Sequence, residues 1–495
     1  MYNYAEKYIT QLKKNEKRYN NQINKTKKNR TNKNISKLKN MLVKGGIGIY
    51  SCSFLENYYL DIAAELKIEL PNEYRCKSIL HVMTESYNTG GHTRVVERWI
   101  DISPSDEVHS VLLTKQNKEN VPLFLEKVVQ EKKGEIIDFP KELSNIEKAG
   151  KIRQIASKYE KIVLHIHMDD EIPLIAFGIK EFKRPVIFYN HADHIGWIGV
   201  SIADIVADLR EYGRKITLEK RKPNKSFKLG IPILKSMHSC NKTRKELQLP
   251  NDKIIILTYG YAPKYNRIDD LNIGNVINNI LERHKNVVFC IIGVKAGYNK
   301  YIDSCAVKFS ENIILKDAVE HKILLEYINA SDIVLDSFPM SGATAMLDAC
   351  FYNKPIVSGC SLVGQLDYIM NSGEYCNSID EIIHKLEELI LSNNAREINV
   401  TAIQKSLAEN DSINKFTERL QKLYEILPKE HNIYRKENEI TINDYSNMDV
   451  YRLYYDRNIH SIIQSKYFKL NIERNTFGKW VIITLGRKDF RFKYK

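Results

Sequence analysis

The segment DSFPMSGATAMLDA, residues 336–349, decides the fold of this chain. A short apolar run, Ile333–Leu335, precedes it, Pro339 and Gly342 interrupt it, and the residues from Ala345 onward favour a helix. The pattern predicts a buried strand that leads through a turn into a helix. Backbone N–H groups and the positive end of the helix dipole would face a ligand above the strand, and Gly342 would allow close approach. Such a turn is suited to a diphosphate.

The alternation of strand, turn and helix extends over most of the chain. In the first half, strands are predicted at residues 79–83, 109–113, 136–139, 162–165 and 185–189. In the second half, they are predicted at residues 254–259, 287–292, 313–315, 333–335 and 355–358. Strands that alternate with helices imply parallel sheets covered on both faces. The predicted fold class is therefore α/β, with two facing doubly wound domains and a ligand cleft at the carboxyl ends of both sheets.

The predicted organisation has five parts. They are a basic arm at 1–45, an acceptor-side domain at 46–225, a linker at 226–250, a nucleotide-binding domain at 251–428 and an extension at 429–495. The linker is assigned from its Pro, Gly and charged residues. Helices at the end of the second domain could cross back to the first, and the pattern assigns no fold to the extension.

Positive charge is concentrated at the two ends. Residues 1–45 hold 13 Lys/Arg against 2 Asp/Glu, and residues 431–495 hold 13 Lys/Arg against 7 Asp/Glu. Because the net charge of the whole chain is +14, residues 46–430 have a net charge of −3. The arm is typical of a solvated helix or a disordered segment. A nucleic-acid enzyme more often carries positive charge on its working face, so no nucleic-acid partner is expected. The basic ends are suited instead to an anionic membrane surface.

Cysteine usage and hydropathy indicate the compartment. The eight cysteines include no Cys-x-x-Cys pair, which fits a reducing compartment better than a zinc ribbon or a disulfide framework. No apolar run approaches the ~20 residues of a membrane span, and the first residues lack a secretory apolar core. A cytoplasmic protein is expected, with peripheral attachment to the inner face of the membrane through the basic ends.

An ordered set of residues in the second half resembles a known family. Glu320-His321, the apolar run that ends at Asp336, the Gly-x-Thr-x-x-x-Asp motif that ends at Asp348, and KPIV at 354–357 resemble the donor half of GT-B glycosyltransferases. Within that group the pattern is most similar to the O-linked N-acetylglucosamine transferase type. The resemblance covers about residues 75–425. It implies two facing Rossmann-like domains and a nucleotide-sugar substrate, with UDP the expected nucleotide and no separate cofactor or metal.

The resemblance also implies contacts to the donor sugar nucleotide. Lys264, in the loop after the first strand of the second domain, would stabilise the leaving diphosphate, with Arg267 as the second candidate. An ordinary surface lysine is the alternative.

The turn and the two helices beside it supply the other implied donor contacts. Asp348 would bind the ribose hydroxyls, and His321 would lie near the base and phosphates. Relatives usually carry His or Asn where this chain has Ala343, which leaves the choice of base and sugar open. Helix capping is the alternative role for Thr344 and Asp348. The turn residues implied to meet the diphosphate are Ser341, Gly342 and Thr344.

The first strand-to-helix turn of the first domain contains a candidate base. Gly90 and Gly91 permit close approach of a ligand. His92 could take the proton of an acceptor hydroxyl, because an unperturbed pKa near ~6.5 suits a base at neutral pH. Arg94 could neutralise charge on acceptor or donor. The alternative is a histidine that satisfies free backbone groups at the helix start.

Two histidine-rich segments follow strands of the first domain. One interpretation places His167, His191 and Asp193 on the acceptor side of the cleft. The alternative is a metal-dependent hydrolase whose ligands are His165, His167, His191 and His194. The first is preferred, because GT-B chemistry needs no metal and a hydrolase leaves the second domain unexplained. A non-catalytic scaffold on a transferase fold is a further alternative.

The predicted function is transfer of a sugar, in the manner of a metal-independent hexosyltransferase. The acceptor would be a hydroxyl of a glycan, glycolipid or protein, in bacterial surface polysaccharide or glycan assembly. The donor would lie against the second domain and the acceptor against the first, with His92 between them as the base.

Overall fold

The computed structural model describes residues 5–71, 73–88, 91–235, 239–435 and 444–453, and the backbone of three strands within residues 469–494.

The N-terminal domain is built on a seven-stranded parallel sheet with the order β3-β2-β1-β4-β5-β6-β7. Its strands are β1 (Arg75–Met83), β2 (Val108–Leu113), β3 (Ile136–Ile137), β4 (Tyr159–His165), β5 (Val186–Asn190), β6 (Ile205–Asp208) and β7 (Ser226–Lys228). The preceding and flanking helices are α1 (Ala5–Lys28), α2 (Asn32–Lys44), α3 (Ser53–Glu65), α4 (Gly91–Ile102), α5 (Leu123–Glu131), α6 (Asn145–Ala156), α7 (Ile172–Phe177) and α8 (Glu211–Ile216). Helices on both faces bury the central strands, which explains their nearly continuous apolar sequences.

The C-terminal domain has a six-stranded parallel sheet with the order β10-β9-β8-β11-β12-β13. Its strands are β8 (Ile254–Tyr259), β9 (Val287–Ile292), β10 (Ile313–Lys316), β11 (Ile333–Leu335), β12 (Ile356–Gly359) and β13 (Tyr375–Cys376). Its helices are α9 (Ile273–Arg283), α10 (Lys300–Lys308), α11 (His321–Ala330), α12 (Met346–Phe351), α13 (Asp367–Met370), α14 (Ile379–Leu391), α15 (Asn393–Asn410) and α16 (Ile413–Ile426). Two facing doubly wound domains therefore form the body of the protein, as the sequence predicts.

The chain returns to the first domain through α16. Phe416 lies 5.7 Å from Trp99 of α4, measured between ring centroids, and the indole N–H of Trp99 donates to the hydroxyl of Tyr424 at 3.3 Å. Beyond α16, His431 pairs with the buried Asp204 at 2.8 Å. This crossing fixes the two domains to each other along one side.

The basic arm is folded and packs against both domains. Leu12 of α1 is fully buried in the apolar cluster that includes Ile268 of the C-terminal domain. Tyr19 of the same helix is buried in the cluster of the N-terminal domain, where Leu42 of α2 joins it. A 24-residue helix is about 36 Å long, which allows α1 to reach both domains. The arm is thus part of the protein core on one face and basic on the other.

The C-terminal extension has two described parts. A helix at residues 447–453 packs near the arm, where Arg452 donates to the carbonyl oxygen of Lys44. A three-stranded antiparallel sheet follows, consisting of β14 (Lys469–Asn475), β15 (Gly478–Leu485) and β16 (Lys488–Tyr494) in that order. Among the helices that the structure describes, none is both long and apolar enough to span a membrane.

Candidate functional site

A cleft of about 920 Å³ between the two domains is lined by seven of the fourteen predicted site residues. This volume lies within the range of ~300–1,000 Å³ that is usual for small-molecule sites. One wall is formed by α4 and the loop after β5, and the other by α11 and the start of α12. The predicted residues that line it are Gly91, His92, Arg94 and His191 from the first domain and His321, Thr344 and Asp348 from the second. Gly90 lies outside the described residues.

The second-domain wall carries a hydrogen-bonded pair. His321, the first residue of α11, contacts Asp348 of α12, with 2.8 Å between Nε2 and Oδ2. The His321 side chain is 63% exposed and the Asp348 side chain 22% exposed, so both can be reached from the cleft. His321 and Asp348, which are 27 positions apart in the sequence, are thus brought together, and both have groups that can form hydrogen bonds with a polar ligand.

The turn between β11 and α12 is organised by a buried carboxylate. Asp336 accepts hydrogen bonds from the N–H groups of Ser337 and Gly342, at 2.8 and 2.7 Å. The hydroxyl of Ser358 and the side-chain amide of Gln365 also donate to it, each at 2.7 Å. Burial raises the pKa of the Asp336 carboxyl, and these donors oppose that effect. The four donors hold the turn in a fixed shape.

This arrangement does not favour the expected diphosphate contacts of Ser341 and Gly342, which stay predictions. The N–H of Gly342 is bound to Asp336, and the N–H of Ser341 is bound to the hydroxyl of Ser361 at 3.3 Å, so neither is free for a ligand. A Cβ on Gly342 would lie 2.8 Å from the Asp336 carboxylate, so this glycine is required by protein packing. Of the three predicted turn residues, Thr344 lines the cleft.

The backbone of Ala343 takes a left-handed conformation, with φ of 48°. Non-glycine residues seldom occupy this region, and Asn and His are several-fold enriched there. The geometry of the turn thus gives a physical reason for His or Asn at this position in the resembling family.

Lys264 lies directly behind the turn. Its ammonium group is 3.2 Å from the carbonyl oxygen of Ser341. Burial lowers the pKa of Lys264, and the nearby Asp336 carboxylate opposes this shift. Arg267 is not brought to the cleft: its Nε donates to the carbonyl oxygen of Asp269, and its guanidinium lies 5.7 Å from the centroid of the Tyr301 ring.

His92 is held in one tautomer by the backbone. Its Nε2 lies 3.1 Å from the carbonyl oxygen of His165, which can only accept, so Nε2 carries the proton and donates. Nδ1 is then the unprotonated nitrogen, and it is buried without a partner among the described residues. Burial lowers the pKa of His92 to about 4, and the neighbouring His167 adds to this effect. A neutral imidazole with a free lone pair results, which is the form a general base requires.

Two further predicted histidines surround His92. The ring of His191 lies 4.2 Å from that of His92, measured between centroids. His167 lies 6.1 Å away, and its Nε2 is 3.1 Å from the hydroxyl of Tyr87. Three imidazoles therefore cluster beside the cleft.

Asp193 is engaged elsewhere. The guanidinium of Arg210 donates to both of its carboxylate oxygens, at 2.6 and 3.0 Å, and His194 lies 3.4 Å from one of them. Burial alone would raise the pKa of Asp193, but the Arg210 charge holds it well below its usual range. Asp193 therefore stabilises the domain and does not line the cleft, so its acceptor contact stays a prediction that this geometry does not favour.

The geometry does not favour the hydrolase alternative. Nε2 of His165 lies 3.1 Å from His81 and its Nδ1 lies 2.9 Å from His191, so both ring nitrogens are already used. His194 is paired with Asp193 rather than with the other histidines. Within the described part of the chain, no group of three or more His, Cys, Asp or Glu side chains has an arrangement that could hold a metal ion.

The cleft contains a further cation that the sequence reasoning missed. Arg98 lies one helical turn after Arg94 on α4 and also lines the cleft. It donates to the carbonyl oxygen of Pro232 at 3.3 Å; burial lowers its pKa, while the carboxylates of Glu97 and Asp348 raise it. The i, i+4 spacing to Arg94 was the available signal. Arg94 itself stacks on Phe124, with 3.5 Å between the guanidinium carbon and the ring centroid.

The facing domains and the cleft at their strand ends define a GT-B protein fold. No family model matches the chain, and no curated protein matches it by sequence. Among solved structures, HepE of Anabaena in complex with UDP has a TM-score of 0.51 at 13% identity, covering 70% of this chain and 99% of HepE. A glycosyltransferase from Rickettsia africae has a TM-score of 0.51 at 13% identity, covering 72% of this chain and 98% of its own. A mutant O-GlcNAc transferase from Thermobaculum terrenum has a TM-score of 0.49 at 15% identity, covering 79% of this chain and 76% of its own.

Proposed function

We propose that this protein is a glycosyltransferase that moves a hexose from a nucleotide-diphospho-sugar to an acceptor hydroxyl. One observation carries the proposal: a single cleft places His92, a neutral imidazole with a free nitrogen, opposite the polar pair formed by Asp348 and His321. A base on one domain that faces a polar wall on the other suits glycosyl transfer to a hydroxyl.

The donor binds against the second domain. The exposed carboxylate of Asp348 accepts hydrogen bonds from the ribose hydroxyls, and His321 lies beside the base or phosphates. Thr344 lines the cleft and meets the diphosphate, and the cation of Lys264, which lies behind the turn at 3.2 Å from the carbonyl oxygen of Ser341, stabilises the charge that develops there. Arg98, which reaches the same cleft from α4, supplies a second cation.

The acceptor binds against the first domain. Its hydroxyl gives its proton to Nδ1 of His92, and the oxygen attacks the anomeric carbon of the sugar. The bond between that carbon and the diphosphate oxygen breaks, and the nucleoside diphosphate leaves. His191 and Arg94 line the space in which the acceptor would lie, and the ring of His167 lies 6.1 Å from that of His92, measured between centroids. The proposed reaction uses side chains of the protein, and it gives no role to a metal ion.

UDP is the proposed nucleotide. The proposed acceptor is a hydroxyl of a bacterial surface polysaccharide or of another glycan, a glycolipid or a protein. The UDP complex of the similar HepE supports the first assignment. The exposed lysines of α1 support a location at an anionic membrane, where a lipid-linked acceptor is found. The protein would then be cytoplasmic and peripheral.

A nucleotide screen tests the proposal. The melting temperature would be measured with UDP, GDP, CDP and their sugars, because a ligand that binds only the folded protein raises it. We expect UDP and a UDP-sugar to stabilise the wild type and to stabilise Asp348→Asn much less. The matched control is Asp380→Asn, at the start of α14 and away from the cleft. A protein that no nucleotide stabilises would instead be a scaffold on a transferase fold.

A further inference from the structure

A continuous chain of hydrogen-bonded histidines crosses the sheet of the N-terminal domain. Nε2 of His109 lies 3.3 Å from the carboxylate of Glu107, and Nδ1 of His109 lies 2.9 Å from Nε2 of His81. Nδ1 of His81 lies 3.1 Å from Nε2 of His165, and Nδ1 of His165 lies 2.9 Å from Nε2 of His191. The chain begins at a partly exposed carboxylate and ends at a residue that lines the cleft.

Strand order and register create this chain. His109, His81 and His165 lie on the adjacent strands β2, β1 and β4, and His191 directly follows β5. Ile79 pairs with His109 and Met83 pairs with His165, so each histidine lies two positions further along its strand than its neighbour. A step of two keeps every ring on the same face of the sheet.

Helix α4 covers that face and shields the rings from water. The indole of Trp99 lies edge-on to both His81 and His165, at 5.7 Å between centroids. His81 and His165 are completely buried. Burial is also the main cause that lowers the pKa of all four chain histidines, so the rings are neutral at pH 7. A neutral ring has one N–H donor and one acceptor nitrogen.

The carboxylate fixes the direction of the whole chain. An ionised Glu107 can only accept, so Nε2 of His109 must donate to it, and Nδ1 of His109 must accept from His81. The same reasoning applies to each following ring, and it gives every histidine the Nε2–H tautomer. Nδ1 of His191 is then the one ring nitrogen that the chain leaves unused, and it belongs to a residue beside the cleft.

We propose that Glu107, His109, His81, His165 and His191 form a proton relay that makes His191 a second base in the cleft. The proposal rests on the proposed glycosyl transfer. A proton leaves the acceptor hydroxyl and binds Nδ1 of His191, and the Nε2 proton of His191 moves to Nδ1 of His165. Two further transfers of the same kind follow, and the Nε2 proton of His109 moves to the carboxylate of Glu107. One negative charge has then moved from Glu107 to the acceptor oxygen, and the rings remain neutral.

The reverse sequence resets the relay. After the new glycosidic bond has formed, Glu107 returns its proton to His109 and the last step delivers a proton from Nδ1 of His191 to the leaving nucleoside diphosphate. Each ring regains its Nε2 proton without turning over in the core.

A buried histidine with a structural role looks different. His431 uses one ring nitrogen on Asp204 and the other on the carbonyl oxygen of Phe177, at 2.8 and 2.9 Å. Both partners are fixed groups of the core, and among the described residues no chain of histidines leads from them to the cleft. His431 is therefore the matched control for the chain histidines.

Glu107→Gln tests the relay at the end remote from the cleft. Glutamine keeps an acceptor for His109 but takes up no proton. We expect turnover to fall about 10-fold or more, at the lower end of general acid–base effects, with UDP affinity and melting temperature near those of the wild type. The control is Glu135→Gln, a carboxylate at the same end of the sheet that contacts Tyr159 rather than the chain. Normal turnover in Glu107→Gln would overturn the relay.

A second pair of variants and a spectroscopic measurement complete the test. His81→Gln interrupts the chain and is expected to lower turnover, whereas His431→Gln is expected to change stability alone. In histidine-labelled wild-type protein, ¹⁵N NMR is expected to find the Nε2–H tautomer in all four chain rings. A chain ring protonated at Nδ1 would overturn the relay even if His81→Gln does not fold. Failure of the proposed function is distinguishable from failure of the relay, because in that case the wild type itself would transfer no sugar.

Discussion

Replacement of His92 by alanine is the most informative perturbation of the proposed chemistry. The described contacts of His92 lie within the N-terminal domain: the carbonyl oxygen of His165 and the rings of Tyr87, His167 and His191. Because none of these belongs to the wall proposed to bind the nucleotide, the variant should bind UDP nearly as well as the wild type.

The expected loss of turnover is about 10²- to 10⁴-fold, the usual range for a general base. At about 1.36 kcal/mol for each factor of ten, this corresponds to roughly 2.7–5.4 kcal/mol of transition-state stabilisation. The pH dependence is a further signature. Because the pKa of His92 is lowered to about 4, the ring is already unprotonated at pH 7, and wild-type turnover should stay level down to about pH 5 and fall near pH 4.

The assay compares initial rates with a UDP-sugar and acceptor, together with UDP affinity and melting temperature. The control is His384→Ala, an exposed histidine of α14 in the other domain. If His92→Ala folds, binds UDP and turns over normally, His92 is not the base. If its melting temperature and UDP affinity fall in proportion to its turnover, the residue has a packing role, and the base should be sought at His191 or His167.

The remaining predictions concern the donor, metal ions, the membrane and pH. Lys264→Ala should lower turnover about 10²-fold, as loss of a fixed charge at a leaving group does, and normal kinetics would remove Lys264 from the mechanism. Activity should survive excess EDTA; loss that one divalent ion reverses would favour a metal site. A triple variant on the exposed face of α1 should bind anionic vesicles at low salt more weakly, by roughly 1 kcal/mol of binding free energy per charge; its substitutions are Lys13→Glu, Lys14→Glu and Lys17→Glu. Equal sedimentation of this variant and the wild type with the vesicles would exclude docking through that face. The free energy of unfolding should fall as the pH decreases from 6.5 to 4, because His92 takes up a proton more readily in the unfolded chain than in the folded protein. The loss should reach about 3 kcal/mol below pH 4. Equal unfolding midpoints in urea at pH 7 and 4.5 would contradict this.

Local sequence patterns predict the elements that have local causes. Helix α9 (Ile273–Arg283) has such causes, because the side chain of Asn272 caps it and apolar residues recur every three to four positions. The strands that lead to Lys264 and to the 336–349 turn are recognised from their apolar runs. Strand β7 is missed because Ser226–Lys228 has three residues and only one of them is apolar.

The long-range features of the site cannot be predicted in this way. The histidine chain depends on the lateral order β2-β1-β4-β5, which no local pattern specifies. The N–H of Gly342 donates to the carboxylate of Asp336. Hydrogen bonds from Ser358 and Gln365, which are 22 and 29 residues further along the chain than Asp336, hold that carboxylate in place. Spacing alone does not predict the pairing of His321 with Asp348 either, although the family resemblance implies that both residues contact the donor.

The basic arm shows the limit of composition as a predictor. Its Lys/Asn-rich sequence is typical of a solvated helix or a disordered segment, yet Leu12, Tyr19 and Leu38 are completely buried. A few apolar residues at helical spacing are enough to anchor a charged helix when two domains offer it a surface. For this reason, charge-reversal variants test membrane docking better than truncation, which would expose the core.

The proposed function depends above all on binding of a nucleotide-diphospho-sugar in the cleft between the two domains. Calorimetric titration of UDP and a UDP-sugar into the wild type and Asp348→Asn, with Asp380→Asn as the control, tests it most directly. We expect saturable binding of one nucleotide per chain, with affinity at least about 10-fold weaker in Asp348→Asn, because a charge-assisted hydrogen bond is lost, and unchanged in the control. Binding of equal strength in all three proteins, or no binding of UDP, GDP or CDP to the wild type, would contradict it.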